Sequence, residues 1–412
     1  MAEEFENKNQ ISDLKARLFE KERIEEYLRS EVKELWKVIK VVQDFPLYSL
    51  YVRVANLYSK VFKKSKKIKN TEKSVVVKYV NEEVKDFDVL FIVPSNKLEI
   101  GGITAAYDLA NYLNEMSLST KVHALSIDPS EKSSQISLNR IQLEKANYRS
   151  IVVCGSEAAN FIEQENMTSG KKIILFMQGP DHYFEMNWVS ASRFTELIPK
   201  SDLVLAISPY VASIASFYGA KKIVTAPFGI DKNIFFADNE KKEKIVLVPC
   251  RANRDKGTHL VIPIINNLRK EGWKIIGFGE LPDLSMAREF DDFLGRITKN
   301  ELGNWLRRSK ILLDPSLIEG LGLIPLEAAA CGCVPIINSR NSYQGLFHSD
   351  FMPFVEVPNY LDPQLIIDKV IQIEKNNNYD AYSKSLLELD INSGLNNSYL
   401  AIKEILRPEE II

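Results

Sequence analysis

Two glutamates eight positions apart, Glu319 and Glu327, enclose a loop that contains Gly320 and Gly322. The apolar run before the loop, ILLDPS (311–316), predicts a buried parallel strand that ends at its Asp-Pro-Ser. The small-residue run after the loop predicts a helix with a proline in its first turn. The loop therefore lies at the carboxyl end of a strand and the amino end of a helix. Ligands of open α/β sheets bind there, and free backbone N–H groups favour an anion.

Two acids beside an anion site fit a phosphate that is flanked by hydroxyl groups, as in a sugar nucleotide. One carboxylate would accept hydrogen bonds from a sugar and the other from the nucleoside sugar. The alternative is that Glu319 ends a loop and Glu327 lies in the first turn of a helix, where acids are favoured without any ligand.

Cations follow another predicted strand, KIVLVPC (244–250). The loop after it contains Arg251, Arg254 and Lys256. Arginine forms bidentate hydrogen bonds to phosphate oxygens and lysine acts as a point charge, so the loop could neutralise a diphosphate. The alternative is a solvated loop, which is weakened because its strand ends at the same sheet edge as the Glu319 loop.

Polar and small residues follow two strands in the first half of the chain. Gly101 and Gly102 precede an amphipathic helix and would permit close approach to a phosphate or sugar. Gln178, Asp181 and His182 follow the strand KIILFMQ, and His182 would be a proton shuttle or a sugar ligand, although a lone histidine is more often structural. The pattern is not GxGxxG, which argues against an NAD enzyme.

Two series of β-rich runs alternate with helical stretches and predict an α/β protein with two doubly wound, Rossmann-like domains that face a cleft. The predicted strands are 88–94, 121–127, 150–155, 172–178, 203–208 and 222–228, then 244–250, 273–279, 292–297, 311–316 and 333–338. The predicted domains are a helical N-terminal extension (1–72), a first Rossmann-like domain (73–235), a second Rossmann-like domain (236–390) and a C-terminal helix that returns to the first domain (391–412).

Residues 1–72 are charge-dense, lack glycine and carry apolar residues at helical spacing. One interpretation is a helical hairpin that packs on its own protein or on a second subunit as a homodimer. The other is a peripheral membrane contact, because aromatic residues accompany a basic end, KKSKKIK (63–69).

The 412 residues carry a net charge of −2, which gives no global attraction for nucleic acid. Four cysteines without a CxxC pair indicate neither zinc nor a disulfide framework, and the acidic start is not a signal peptide. No uncharged window predicts a membrane span. These features predict a cytoplasmic protein without a zinc site, and they indicate no cofactor. The one Asp-x-Asp considered, at 86–88, begins a strand and so lies at the wrong sheet edge.

The run EGLGLIPLEAAACGCVPI resembles the Glu-x7-Glu motif of family 4 retaining glycosyltransferases, which have the two-Rossmann-domain GT-B fold. RANRDKG is similar to their Arg…Lys-Gly phosphate loop, APFGIDKNIF to their interdomain segment and GGITAAYDLANYL to their amino-terminal glycine loop. The resemblance covers about residues 88 to 345. FMQGPDHYFEMN resembles the rhamnosyltransferases of rhamnan and S-layer glycan assembly, although those enzymes typically carry Gln-Asp-Tyr-Glu there.

The resemblance implies metal-independent transfer of rhamnose from dTDP-rhamnose to a growing, lipid-linked surface glycan at the inner face of the plasma membrane. Arg251 and Lys256 would bind the diphosphate, Glu327 a nucleoside hydroxyl and Glu319 the transferred sugar, so that loss of Glu319 should leave dTDP affinity nearly intact. The other implied contacts are grouped as follows: Gly102, Arg296, Ile297, Gly320, Leu321, Gly322 and Leu323 for the donor; Gly101, Gln178 and Asp181 for the acceptor; Asp181 and His182 for catalysis.

Three alternatives remain at this point. They are a sugar-nucleotide epimerase of the same fold, a hexosyltransferase that uses a UDP or GDP donor, and a catalytically inactive sugar-binding scaffold subunit.

Overall fold

The structure is a computed structural model. It describes residues 86–96, 101–127, 136–179, 188–238, 241–252, 256–281, 283–317, 319–338, 343, 354–357, 362–376 and 391–407. The predicted helical extension of residues 1–72 lies outside these ranges.

The first sheet contains six parallel strands in the order β2-β1-β3-β4-β5-β6. Their bounds are β1 Phe87–Ser95, β2 Thr120–Ser126, β3 Tyr148–Val153, β4 Lys172–Met177, β5 Leu203–Ala206 and β6 Ile223–Thr225. The central strands are apolar over most of their length, as burial on both faces requires.

The second sheet also contains six parallel strands, in the order β12-β11-β10-β7-β8-β9. Their bounds are β7 Glu243–Cys250, β8 Lys274–Gly279, β9 Asp292–Phe293, β10 Ser309–Asp314, β11 Val334–Asn338 and β12 Val355–Val357. The chain builds outward from β7 in one direction and then from β10 in the other, so the strand order reverses between these two neighbours. Open α/β sheets bind ligands at such a reversal.

Helices connect most of the strands, as parallel pairing demands. They are α1 Gly101–Glu115, α2 Arg140–Glu144, α3 Ser156–Gln164, α4 Trp188–Leu197, α5 Pro209–Phe217, α6 Thr258–Lys270, α7 Lys299–Arg308, α8 Leu323–Ala330, α9 Pro363–Asn376 and α10 Ile391–Leu406; short 3-10 helices occupy Ile198–Lys200 and Leu284–Glu289. Among the described residues, no helix combines the length and hydrophobicity that crossing a membrane requires.

The predicted α/β class with two parallel, Rossmann-like sheets is confirmed. Two predicted strands are much shorter than expected. The run 222–228 is a strand only at Ile223–Thr225, and the run 292–297 pairs with β8 only at Asp292 and Phe293. Gly295 then adopts a left-handed φ of 64° and turns the chain away from the sheet. Strand β12 was not predicted, since its three residues are too few to show a period.

The second α/β domain contacts the segment that connects the domains (229–242), and the last helix contacts the first domain. Arg307 of α7 donates to the carbonyl of Ile234 at 2.8 Å, and its guanidinium lies 4.5 Å from the ring centre of Phe236. Helix α10 follows the second domain in the chain but packs on α1, β5 and β6 of the first. Its Gly394 lies so close to the carbonyl of Pro227 that a Cβ would collide with it. One cluster of buried apolar side chains therefore includes residues of both sheets.

Candidate active site

The site is built at the carboxyl ends of β7 and β10, the neighbouring strands between which the second sheet reverses its order. Arg251 follows β7 directly, and Glu319 lies in the loop after β10. The strands are in register through Val246 with Ile311 and Leu247 with Leu312, which brings their ends to the same edge. Two segments far apart in sequence therefore meet because of the sheet topology.

Two of the three predicted cations, Arg251 and Lys256, contact the first predicted glutamate. Nη1 of Arg251 lies 3.0 Å from Oε1 of Glu319, and Nζ of Lys256 lies 3.4 Å from Oε2 of the same carboxylate. Arg251 also donates to Oγ of Ser316 at 2.9 Å. The side chains of Glu319 and Lys256 are only 14% and 15% exposed, so these charges interact with little screening by water.

The cation loop is held by its own backbone contacts. The amide of Arg251 donates to Oγ1 of Thr258 at 2.9 Å, and this hydroxyl donates back to the Arg251 carbonyl at 2.9 Å. Gly257 has a left-handed φ of 65°, and a Cβ at this position would collide with the carbonyl of Pro315. Glycine is therefore required next to Lys256, and it lets the cation loop lie directly against the end of β10.

The glycine loop before α8 is fixed by the first domain. A Cβ on Gly320 would collide with the carbonyl of Gln178, and the hydroxyl of Ser208 donates to the Gly320 carbonyl at 2.6 Å. Gly322 caps α8 with a φ of 78°, and the hydroxyl of Tyr343 donates to its carbonyl at 2.7 Å. Backbone amides at the start of α8 are thus held in place at the edge of the site, where they favour an anion.

Glu327 is the fifth residue of α8, so it lies beyond the first turn in which an acid would be favoured by the helix dipole alone. Burial raises the pKa of its carboxyl to about 7, against the opposing influence first of Lys299 and then of Arg251. The helix-end explanation for this acid is therefore weakened. A carboxyl with a pKa this far from its ordinary value is typical of functional sites.

A second group of charges spans the two domains and was not predicted. Nζ of Lys299, at the start of α7, lies 3.9 Å from Oδ2 of Asp108 on α1. Burial raises the pKa of Asp108, Lys299 lowers it and Asp231 of the interdomain segment raises it. Lys299 thus acts electrostatically on both Asp108 and Glu327. No sequence motif marks it, because its neighbours come from three separate segments.

Gln178 lies where the predicted segments of the two domains meet. Its side chain contacts Gly102 so closely that a Cβ there would collide with Oε1, while its backbone contacts Gly320. Gly101 begins α1 and has no neighbour within 4 Å of the position that a Cβ would take. Asp181, His182 and Arg254 lie outside the described residues.

Arg296 and Ile297 follow β9 at the same sheet edge. Arg296 pairs with Glu280 at 2.7 Å, both side chains being exposed, and Ile297 packs against the apolar core. The amide of Gly279 donates to the carbonyl of Gly295 at 2.7 Å, and the amide of Glu280 to the carbonyl of Cys250 at 3.0 Å. The backbone at Gly295 is therefore hydrogen-bonded to the end of β8, which is itself hydrogen-bonded to the end of β7.

Three residues that support the site carried no functional signal in the sequence: Ser208, Ser316 and Tyr343. Ser208 precedes a proline and caps α5 by accepting from the amide of Val211, which a capping pattern does indicate. Its second contact, to Gly320, depends on how the domains pack. Within the described ranges, no group of three or more His, Cys, Asp or Glu side chains is arranged to hold a metal ion.

Part of the chain matches a known protein family. Residues 230–385, less than half of the chain, match the family model described as glycosyl transferases group 1. A D-inositol 3-phosphate glycosyltransferase of Pseudarthrobacter chlorophenolicus is 29% identical over 165 residues, which cover 34% of this chain and 39% of that protein. An uncharacterized glycosyltransferase of Methanocaldococcus jannaschii is 24% identical over 40% of this chain and 48% of its own length. The chain thus spans less than half the length of these curated relatives.

Solved structures share the fold. Anabaena HepE in complex with UDP-glucose has a TM-score of 0.60 at 13% identity, with 78% of this chain and 100% of that chain covered. Sucrose-phosphate synthase from Thermosynechococcus elongatus has a TM-score of 0.57 at 14% identity, with 78% and 97% covered. Residues 230–385 are therefore similar to glycosyl transferases of group 1, and the described chain has the two-domain GT-B fold.

Proposed function

We propose that the protein is a retaining, metal-independent glycosyltransferase that uses a nucleotide sugar as its donor. One observation carries the proposal: at the strand-order reversal of the second sheet, two cations contact the Glu319 carboxylate beside a glycine-rich helix start, and the helix carries a second carboxyl, Glu327, whose pKa Arg251 influences. Cations and backbone amides bind a diphosphate, whereas carboxylates accept hydrogen bonds from hydroxyl groups. A nucleotide sugar offers both kinds of partner in one molecule.

Each group then has a role in the transfer. Arg251 and Lys256 stabilise the charge that develops on the diphosphate as the bond between the sugar and the phosphate oxygen breaks. The amides of Gly320–Leu323 assist them, Glu319 orients the sugar and Glu327 accepts a hydrogen bond from the nucleoside sugar. The acceptor hydroxyl bonds to the same sugar carbon on the same face and passes its proton to the departing phosphate oxygen. No separate general base is then needed.

The proposed donor is dTDP-rhamnose, on the strength of the FMQGPDHYF resemblance (176–184). The proposed acceptor is a growing surface glycan, lipid-linked and presented at the inner face of the plasma membrane. A UDP-sugar is the second candidate donor, since the structurally similar HepE binds UDP-glucose. Thymidine has no 2′ hydroxyl, so Glu327 would hold one hydrogen bond fewer with dTDP than with UDP.

The test is a thermal-shift screen with dTDP-, UDP- and GDP-sugars in the presence of EDTA, followed by measurement of nucleoside diphosphate release. We expect the largest stabilisation from dTDP and dTDP-rhamnose, with release of dTDP from the sugar nucleotide. Stabilisation by GDP-sugars alone would rule out the rhamnosyl donor, and activity that required added magnesium or manganese would rule out the metal-independent mechanism.

Two alternatives make different predictions in the same assay. A sugar-nucleotide epimerase would return a stereoisomer of the sugar, detectable by chromatography of the products. An inactive scaffold subunit would bind a sugar without releasing any nucleotide. The contacts of Arg251 and Lys256 with Glu319 favour an enzyme, because a pure sugar-binding protein has no use for a diphosphate clamp.

A further inference from the structure

The two cations of the proposed diphosphate clamp hold a carboxylate of the protein itself. Arg251 binds one oxygen of Glu319 at 3.0 Å, and Lys256 lies 3.4 Å from the other oxygen. The Glu319 carboxylate therefore bridges the cations as an oxyanion of a ligand would. A diphosphate needs the same N–H groups and the same positive charge.

The backbone around Glu319 cannot easily move out of the way. Gly320 is packed against the carbonyl of Gln178, and its own carbonyl accepts the hydroxyl of Ser208 at 2.6 Å. Arg251 keeps a contact with Ser316 at 2.9 Å whatever Glu319 does. The movable part is therefore the Glu319 side chain, whose three rotatable bonds can redirect the carboxylate while the loop stays in place.

We infer that Glu319 competes with the diphosphate for Arg251 and Lys256, and that this competition lets the site discriminate a nucleotide sugar from the nucleoside diphosphate product. A donor that displaces Glu319 brings sugar hydroxyls that the freed carboxylate can accept. A nucleoside diphosphate displaces the same carboxylate but has no transferable sugar whose hydroxyl groups could donate hydrogen bonds to it. The competition therefore weakens binding of the product more than binding of the donor.

The inference rests on the proposed function and adds a step to it. When the sugar has been transferred, Glu319 loses its hydroxyl partners and returns to the cations. Its return promotes release of the nucleoside diphosphate, and product release limits turnover in many enzymes. Glu319 then has two roles: it binds the sugar of the donor, and it displaces the nucleoside diphosphate product from the cations.

This geometry revises the expectation from sequence that Glu319 matters little for free nucleotide. Neutral variants that cannot compete, Glu319→Gln and Glu319→Ala, should bind dTDP, UDP and inorganic pyrophosphate more tightly than the wild type. We expect about a tenfold gain in affinity, equivalent to about 1.4 kcal/mol. Affinity for the intact nucleotide sugar should rise less or fall, because the variants also lose a sugar contact.

The experiment is isothermal titration of the full chain with dTDP, UDP, pyrophosphate and the preferred nucleotide sugar. Glu243→Gln is the matched control, since Glu243 forms an exposed pair with Arg308 at 2.7 Å and belongs to no part of the site. This control should bind every ligand as the wild type does. Melting temperatures show that each variant is folded. Two different neutral variants are used so that a local structural change in one of them is not mistaken for the effect of removing the charge.

The outcomes separate the two proposals. Tighter nucleoside diphosphate binding in both neutral variants, without an equal gain for the nucleotide sugar, supports the inference. Equal or weaker nucleoside diphosphate binding in those variants, with a wild type that still binds and turns over the donor, overturns the inference and leaves the proposed function standing. A wild type that binds no nucleotide or nucleotide sugar overturns both.

Discussion

The two sheets present different chemistry at the edges that form the site. The second sheet contributes formal charges: Arg251, Lys256 and Glu319 lie in contact, and Glu327 follows on α8. The described part of the first sheet contributes uncharged groups there, namely the Gln178 amide and backbone and the Ser208 hydroxyl. Charge binds and stabilises a charged ligand, whereas the uncharged groups set the position of the charged loop.

The family model matches residues 230–385, which contain the charged loops. Binding of a diphosphate requires cations at fixed positions, so the loops of a protein that binds one share a recognisable sequence pattern. Contacts such as that between Gln178 and Gly320 require only a carbonyl and the absence of a Cβ, which many sequences can provide. The two domains should accordingly respond differently to substitution.

The largest effect should follow removal of the cations. Arg251→Ala and Lys256→Ala should each weaken binding of the nucleoside diphosphate by about 2–5 kcal/mol, because a charged ligand would lose a partner in a partly desolvated site. Titration calorimetry with dTDP measures this loss. Arg308→Ala, which removes an exposed cation of the same domain, is the control and should bind dTDP normally. Wild-type affinity in both site variants would mean that the cations are ordinary loop charges.

Glu327→Gln should weaken nucleoside diphosphate binding by about 1.5–3 kcal/mol, the usual worth of a hydrogen bond to a charged group. The wild type should also bind more tightly as the pH rises through about 7, the pKa of this carboxyl, because the ionised form is the stronger acceptor. Lys299→Met removes a cation that opposes the rise in this pKa and should move the profile to higher pH. Affinity measured as a function of pH tests both statements.

The nucleotide phosphates also titrate in this pH range, so Glu327→Gln supplies the reference profile. The part of the pH dependence that disappears in this variant belongs to Glu327. Identical profiles for the wild type and Glu327→Gln would show that Glu327 does not bind the nucleoside.

Gly320→Ala tests the uncharged contact between the domains. A methyl group would collide with the Gln178 carbonyl, and we expect a loss of about 1–3 kcal/mol in the free energy of unfolding, as for other overpacked sites. Thermal or urea denaturation measures this. Gly101→Ala is the matched control, because nothing lies within 4 Å of its Cβ position. A Gly320→Ala variant as stable as the wild type would mean that the loop has room to shift.

The smallest effect should come from the pair between Asp108 and Lys299. Asp108→Asn should change the free energy of unfolding by no more than about 1 kcal/mol, because Lys299 is half exposed and the cost of burying the Asp108 carboxylate opposes its attraction to Lys299. Its melting temperature should therefore stay close to that of the wild type. A large loss would show that this pair holds the two domains together.

Much of the fold was predictable because its signals are local. Apolar runs bounded by turn residues located eleven of the twelve described strands, including β7 and β10, whose ends carry the charged loops. The error at residues 292–297 arose because Leu294 and Ile297 continue an apolar pattern, while Gly295 takes a backbone conformation that ends the strand.

The sequence by itself therefore determined which residues could bind a diphosphate and sugar hydroxyls, since residue type and position after a strand are both local properties. Only the tertiary structure decided that Arg251, Lys256 and Glu319 contact one another, and that Gln178 and Ser208 hold the loop that carries Glu319. The same holds for Lys299 beside Asp108. Such contacts join segments of separate strands and domains, so they depend on strand order and domain packing, which no short stretch of sequence encodes.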